Sequence, residues 1–175
     1  INSDGTKAER LNVIPFKTDA LGIKMRNTDW RTDLDTQVET FKPDLIALST
    51  TEDMWNLGLK MLRHIKEYIS RNEIPVIAGG VFPTFAPEIV IQDSTINMVC
   101  IGEGENSLID LCERIEKGRP YENVTNLWVK RRDGSIIKNP ISNPVDVNDA
   151  PILDLSLFEE KRLFRPMAGK WYKMM

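Results

Sequence analysis

The sequence predicts an α/β fold, a parallel sheet with flanking helices, and three observations predict it. Apolar runs without alternation recur at residues 44–49 (DLIALS), 75–79 (PVIAG) and 96–102 (INMVCIG). Stretches with apolar residues at helical spacing separate them. Each run ends in small or hydroxyl-bearing residues and a polar turn. Continuous apolar runs are how strands buried on both faces read, and strand–helix alternation calls for right-handed crossovers between parallel strands.

Residues 1–30 show no sustained period, and LNVIPF at 11–16 is their one short extended candidate. They read as a polar lead-in loop, and the opening INSDGTKAER, starting at Ile1, reads as a piece of something longer. The α/β core is expected over 31–120. Leu34, Val38 and Phe41 mark one face of a helix that stops at Lys42, because Pro43 follows. After the strand DLIALS, the residues Met54, Leu57, Met61, Leu62, Ile65 and Ile69 trace a helix over about 52–70. Thr50 or Thr51 serves as its N-cap, with Glu52 and Asp53 in the first turn. The strand PVIAG follows, then a loop from Val81 to Thr84, then a short helix over 87–92 with Pro87 in its first turn. INMVCIG is the third strand. Leu108, Leu111, Cys112 and Ile115 mark a last helix closing on Lys117, with Gly118 left-handed and Pro120 beyond. At 121–140, NLWVKRR and SIIKN flank Asp133-Gly134, a β-hairpin signal that ends the repeat. The Pro-, Asn- and Asp-rich remainder, 141–175, reads as an extended linker.

Charge and composition exclude several functions. With 23 basic against 26 acidic residues and a pI near 5.3, the chain supplies no field to hold a polyanion, so nucleic acid is not an expected partner. No apolar run approaches the roughly 18 residues that cross a bilayer, so no membrane is expected and the reading is cytoplasmic. Cys100 and Cys112 fit no CxxC-type pattern and read as small buried hydrophobes. His64, the single histidine, lies inside a helix and reads as a partly exposed surface residue. No Ser/His/Asp or Cys/His set is present, so no catalytic residue and no metal site is assigned.

Ligands of open parallel sheets bind outside the carboxyl ends of the strands. The candidate residues are therefore the three strand exits: Ser49, Thr50 and Thr51; Gly79, Gly80, Val81, Phe82, Pro83 and Thr84; Gly102, Glu103, Gly104 and Glu105. The paired glycines are either a turn or room for a bulky flat group against the backbone. Gly102 to Glu105 lacks a phosphate-loop spacing and carries two carboxylates, so it reads as a polar turn or a contact to a neutral ligand edge.

Taken together, KPDLIALSTTEDMWNLGLKMLRHIK, IPVIAGGVFPTFAPEIVIQD and INMVCIGEGENSLIDLCERIEKG resemble the cobalamin-binding domain at the N-terminus of many radical S-adenosylmethionine enzymes. The resemblance runs from Lys42 to about Phe158 and includes the later hairpin and Pro/Asp-rich connector. It implies a Rossmann-like, flavodoxin-like sheet with cobalamin across the strand exits and its nucleotide tail in the crevice. By position, Ser49, Thr50 and Thr51 correspond to the stretch near the benzimidazole, Gly79 and Gly80 to the tail pocket, Val81 to Thr84 to the corrin wall, and Gly102 to Glu105 to the corrin side chains. The Asp-x-His-x-x-Gly motif that supplies a lower axial histidine is absent, so the residues present supply no lower ligand. The family also places one strand-helix-strand unit before the first helix seen here. It continues, past a connector like 151–172, into a barrel whose CxxxCxxC motif holds a [4Fe-4S] cluster and cleaves S-adenosylmethionine; this C-terminal barrel is the expected partner. The implied function is corrinoid binding in service of methyl transfer or radical chemistry. The alternatives are a packing or substrate-capping module without corrinoid, and an unrelated flavodoxin-like nucleotide domain, against which Phe82 and Pro83 argue because they offer a phosphate no donors.

Overall fold

Asp29 starts the first helix. Its carboxylate accepts the Arg31 N–H at 3.3 Å, capping α1, Trp30–Phe41. The helix stops where expected, at Lys42, which turns left-handed (φ 50°) ahead of Pro43. In this computed structural model residues 29–146, 148, 154–157, 164–167 and 170–173 are described. The extended candidate at 11–16 lies outside them. Two units are separated, one over 28–150 and one formed by 1–27 with 151–175.

The larger unit follows the strand–helix repeat: β1 Ile46–Ser49, α2 Glu52–His64, α3 Lys66–Arg71, β2 Val76–Gly79, α4 Val81–Phe85, α5 Pro87–Gln92, β3 Met98–Cys100, α6 Glu105–Glu116, β4 Leu127–Lys130 and β5 Ile136–Lys138. The five strands form one sheet in the order β1-β2-β3-β4-β5. β1, β2 and β3 are parallel, with Ser49 opposite Gly79 and Ala78 opposite Val99. The hairpin read around Asp133-Gly134 joins this sheet: β4 pairs antiparallel with β3, and β5 with β4. The result is a mixed, Rossmann-like sheet.

Alternation along β2 sorts the core into two layers. Val76 and Ala78, with Val99, pack against Trp55, Leu59 and Leu62 of α2 and Val90 and Ile91 of α5. Ile77, with Met98 and Cys100, packs on the opposite face with Leu111 of α6 and with Leu127 and Val129 of β4. Complete burial of Val76, Ala78, Val90, Met98, Val99 and Leu111 makes these layers the main stabilising element, at roughly 1.5–3 kcal/mol for each large side chain.

Four local expectations are corrected. First, β1 is not buried on both faces: Ile46 and Leu48 pack on the α2 layer, while Ala47 and Ser49 are exposed. β1 ends the sheet among the described residues, and on that face α6 packs against Leu45 but leaves Ala47 and Ser49 open. Second, Phe41 is 79% exposed and only Val38 of α1 is buried, because α1 lies against α2 and α3. Its Trp30 ring meets His64 edge-on at 5.4 Å, and the Tyr68 hydroxyl donates to the Val38 carbonyl at 2.8 Å. Third, the helix expected over 52–70 breaks at Ile65 (φ −94°, ψ 15°), a bend that keeps Ile65 buried and Ile69 packed on the same layer. Fourth, the loop expected after Gly80 is the helix α4. Pro83 falls in its first turn, where a missing N–H costs nothing, and its ring is buried.

In the smaller unit, β6 Phe164–Met167 and β7 Lys170–Lys173 pair antiparallel, and a single helical turn covers Leu155–Leu157. Both fall within the stretch read as an extended linker. No helix among the described residues is long and apolar enough to cross a membrane.

Candidate functional site

Parallel strands held in register put equivalent positions side by side at the carboxyl end of the sheet. Ser49 lies opposite Gly79, and one step beyond the Ala78–Val99 pair Gly79 stands beside Cys100. One row deeper, Ala47 lies opposite Ile77. All of these point to the α6 side, and they floor a groove of about 550 Å³ closed laterally by Leu108 of α6. Its outer wall is α4, which presents Val81 and Phe85, 61% and 83% exposed. Its far rim is the loop 102–105.

The two glycines differ in role. Gly80 has φ +93°, and a Cβ there would sit 2.9 Å from the Thr50 carbonyl oxygen and 3.0 Å from both the Thr50 nitrogen and Ser49 Oγ. The protein's own backbone therefore demands this glycine. Gly79 has no positive φ, and a Cβ there would meet only the Cys100 Cβ, at an ordinary 3.6 Å. Nothing in the protein's own packing forbids a side chain at Gly79; its absence leaves the floor of the groove open.

Of the thirteen candidate residues, Ser49, Gly79, Gly80, Val81, Thr84, Gly102, Glu103, Gly104 and Glu105 come together around this groove. The other four are not among its lining residues. Thr50 is buried; its N–H donates to the Gly79 carbonyl (3.0 Å), its carbonyl accepts from Phe82 N–H (3.2 Å), and its hydroxyl donates to the Thr51 carbonyl (2.8 Å). It welds the first strand exit to the second. Thr51 occupies the N-cap position of α2, but its hydroxyl bonds the Asp53 carboxylate instead of a helix N–H. Phe82 points into the α2 layer, with its ring 5.6 Å from that of Trp55, and Pro83 is buried. The i, i+1 geometry of a short helix sends Phe82 inward and its neighbour Val81 outward, which a loop reading could not foresee.

The rim is fastened from both sides. Gly102 N–H donates to Thr84 Oγ1 at 3.0 Å, tying the loop to α4. The Glu103 carbonyl accepts from Asn126 Nδ2 at 3.0 Å, and its carboxylate accepts the Val145 N–H at 2.5 Å. Burial pushes the Cys100 thiol pKa up, and the Glu105 charge adds to the shift, so the thiol at the groove floor stays neutral.

Sequence reasoning missed Ala47, Ile77, Cys100, Leu108 and Phe85. The signal for the first three was available: positions two before Ser49 and Gly79, and the equivalent strand end, share a face. His64 is away from the groove, 2.9 Å from Asp35. No group of three or more His, Cys, Asp or Glu side chains suited to a metal occurs among the described residues.

The B12 binding domain family model matches residues 15–111, more than half of the chain, including the groove floor and rim. The chain belongs to the B12-binding domain family. This B12-binding domain is 24% identical over 136 residues to the anaerobic magnesium-protoporphyrin IX monomethyl ester cyclase of Rubrivivax gelatinosus, covering 75% of this chain and 24% of that protein. It is 25% identical over 126 residues to the 4'-phospho-dehydrooxetanocin synthase of Priestia megaterium, covering 71% and 17%. The chain thus spans a quarter or less of the length of these relatives. Among solved structures it superposes on the cobalamin-dependent S-adenosylmethionine radical enzyme OxsB with aqua-cobalamin and S-adenosylmethionine bound, at TM-score 0.56 and 22% identity over 65% of this chain and 16% of that one. It also superposes on the radical S-adenosylmethionine methyltransferase TsrM from Kitasatospora setae with cobalamin and a [4Fe-4S] cluster bound, at TM-score 0.55 and 21% identity over 64% and 22%. At these identities the likeness is one of fold. The expected cobalamin-binding domain is met by the family match, and cobalamin is the cofactor that this family's description names.

Proposed function

We propose that this domain holds cobalamin in the groove at the strand exits and serves a radical S-adenosylmethionine enzyme, its tail against Ser49 and Gly79 and its corrin against Val81 and Phe85. The observation that carries the reading is the open floor at Gly79. A row of small residues leaves room for a flat group beside an apolar wall, and no internal contact requires that room. Exposed aromatic and β-branched side chains at the mouth fit the apolar face of a macrocycle.

When bound, cobalamin supplies a cobalt centre for methyl or radical chemistry. The chain's own residues position it: Gly79 admits the tail, Ser49 offers a hydroxyl to it, and Thr84 braces the rim through Gly102 N–H. A C-terminal barrel with a [4Fe-4S] cluster and S-adenosylmethionine is the proposed working partner, in keeping with the relatives named above. A cytoplasmic location goes with free, unpaired Cys100 and Cys112. The packing-module alternative loses favour, since the family is that of B12 binding and the groove is not filled by neighbouring side chains.

The test is to load the full-length protein with hydroxocobalamin, remove the excess by gel filtration and record the visible spectrum. Near one-to-one retention with a shifted spectrum is expected; a colourless protein peak overturns the reading.

A further inference from the structure

The chain leaves the sheet at Asn139 and runs back along the groove rim, and one buried side chain fastens it there. Asn126 is 3% exposed and left-handed (φ 66°), a conformation that Asn tolerates better than most residues. All its polar atoms are used. Its N–H donates to the Pro140 carbonyl (2.9 Å) and its carbonyl accepts from Ile101 N–H (2.9 Å). Its Oδ1 accepts the Ser142 N–H (2.6 Å), and its Nδ2 donates to Ser142 Oγ (3.1 Å) and the Glu103 carbonyl (3.0 Å). Farther along, Val145 N–H donates to the Glu103 carboxylate.

The Asn126 amide thus joins the rim loop at Glu103 to the outgoing segment at Ser142, while its backbone links Ile101 to Pro140. We propose that Asn126 is the positioning residue of the corrinoid groove: it straps 140–145 onto the loop 102–105, so that the groove rim and the chain leaving it move as one piece. One carboxylate oxygen of Glu103 is then held by the strap. The rim is thereby held in place before the ligand arrives, and loading the groove is expected to tighten the strap.

This rests on the cobalamin reading above, and the test separates the two. Asn126→Asp is nearly isosteric but replaces the amide that donates to Glu103 and Ser142 with an acceptor. Val145→Pro deletes the N–H bonded to Glu103 outside any strand and carries the test should N126D fail to fold. Asn139→Ala is the control: Asn139 Nδ2 bonds the Glu122 and Leu127 carbonyls, on the same segment but away from the rim. Hydrogen exchange on the ligand-free full chain is expected to rise at least threefold at 102–105 in N126D and V145P but not in N139A. The Kd for hydroxocobalamin is expected to rise about tenfold in N126D and several-fold in V145P, with N139A unchanged. In the wild type, cobalamin should slow exchange at Val145. Rim exchange and Kd in N126D and V145P equal to those of N139A would overturn the strap and leave the cobalamin reading intact. A wild type that retains no cobalamin would overturn that reading, and the positioning role with it.

Discussion

Replacing Gly79 and Gly80 one at a time should give opposite results. At Gly80 a methyl group falls within 3.0 Å of three atoms, two of them backbone, at φ +93°. Backbone strain of about 1–3 kcal/mol adds to an overpacking cost of about 1–3 kcal/mol, so Gly80→Ala should lose roughly 2–6 kcal/mol. For a unit of this size that lowers Tm by about 10–25 °C. At Gly79 the same methyl meets only the Cys100 Cβ at 3.6 Å, and φ is not positive. Gly79→Ala should keep or gain up to about 1 kcal/mol, because the unfolded chain loses freedom. Gly79→Val should fold equally well, yet its two further methyls enter the groove floor and weaken cobalamin at least tenfold, about 1.4 kcal/mol. The assays are thermal unfolding with and without hydroxocobalamin, and corrinoid retention on gel filtration. A G80A protein as stable as wild type, or a folded G79V protein that retains cobalamin normally, would refute the division of labour between the two glycines.

Phe82→Ala should cost about 2–4 kcal/mol in denaturant unfolding with no direct effect on corrinoid affinity at saturating folded protein, because Phe82 packs on Trp55 and not in the groove. Cys112 is exposed, against its reading as a buried hydrophobe; iodoacetamide should therefore label it long before buried Cys100, and cobalamin should slow Cys100 further without changing Cys112, with mass spectrometry reading the order. At Asp93, burial raises the carboxyl pKa, but bonds from the Thr95 hydroxyl and N–H, with Arg63, outweigh it, leaving the pKa lowered. That contribution is present above the unfolded value and is lost as pH falls through the lower folded one. Asp93→Ala should therefore cost about 1–2 kcal/mol at pH 7, with the gap to wild type narrowing below about pH 4 in urea titrations.

The periodicity of the chain carried the larger unit a long way. The apolar runs at β1, β2 and β3, Lys42 as a helix stop, Pro87 at the start of α5, and Gly118 after α6 are all local signals, and each is found where it was read. The strand exits were legible too, because parallel strands must end at one edge of the sheet.

What local pattern could not supply was the neighbour of each residue. Whether Ala47 and Phe41 are covered depends on which elements flank them, and that is a property of sheet order. Residues 81–84 carry a Pro and an aromatic and read as loop, but bonds from Phe82 N–H to Thr50 and from Thr84 N–H to Gly80 wind 81–85 into a helix. That winding sends Phe82 to the core and Val81 to the groove. The sequence by itself determined the strand–helix order and the edge of the sheet where the candidate site lies, since both follow from spacing along the chain. Only the tertiary structure decided which of two adjacent glycines has room for a side chain and which partners Asn126 ties together, since both depend on atoms brought together from distant parts of the chain.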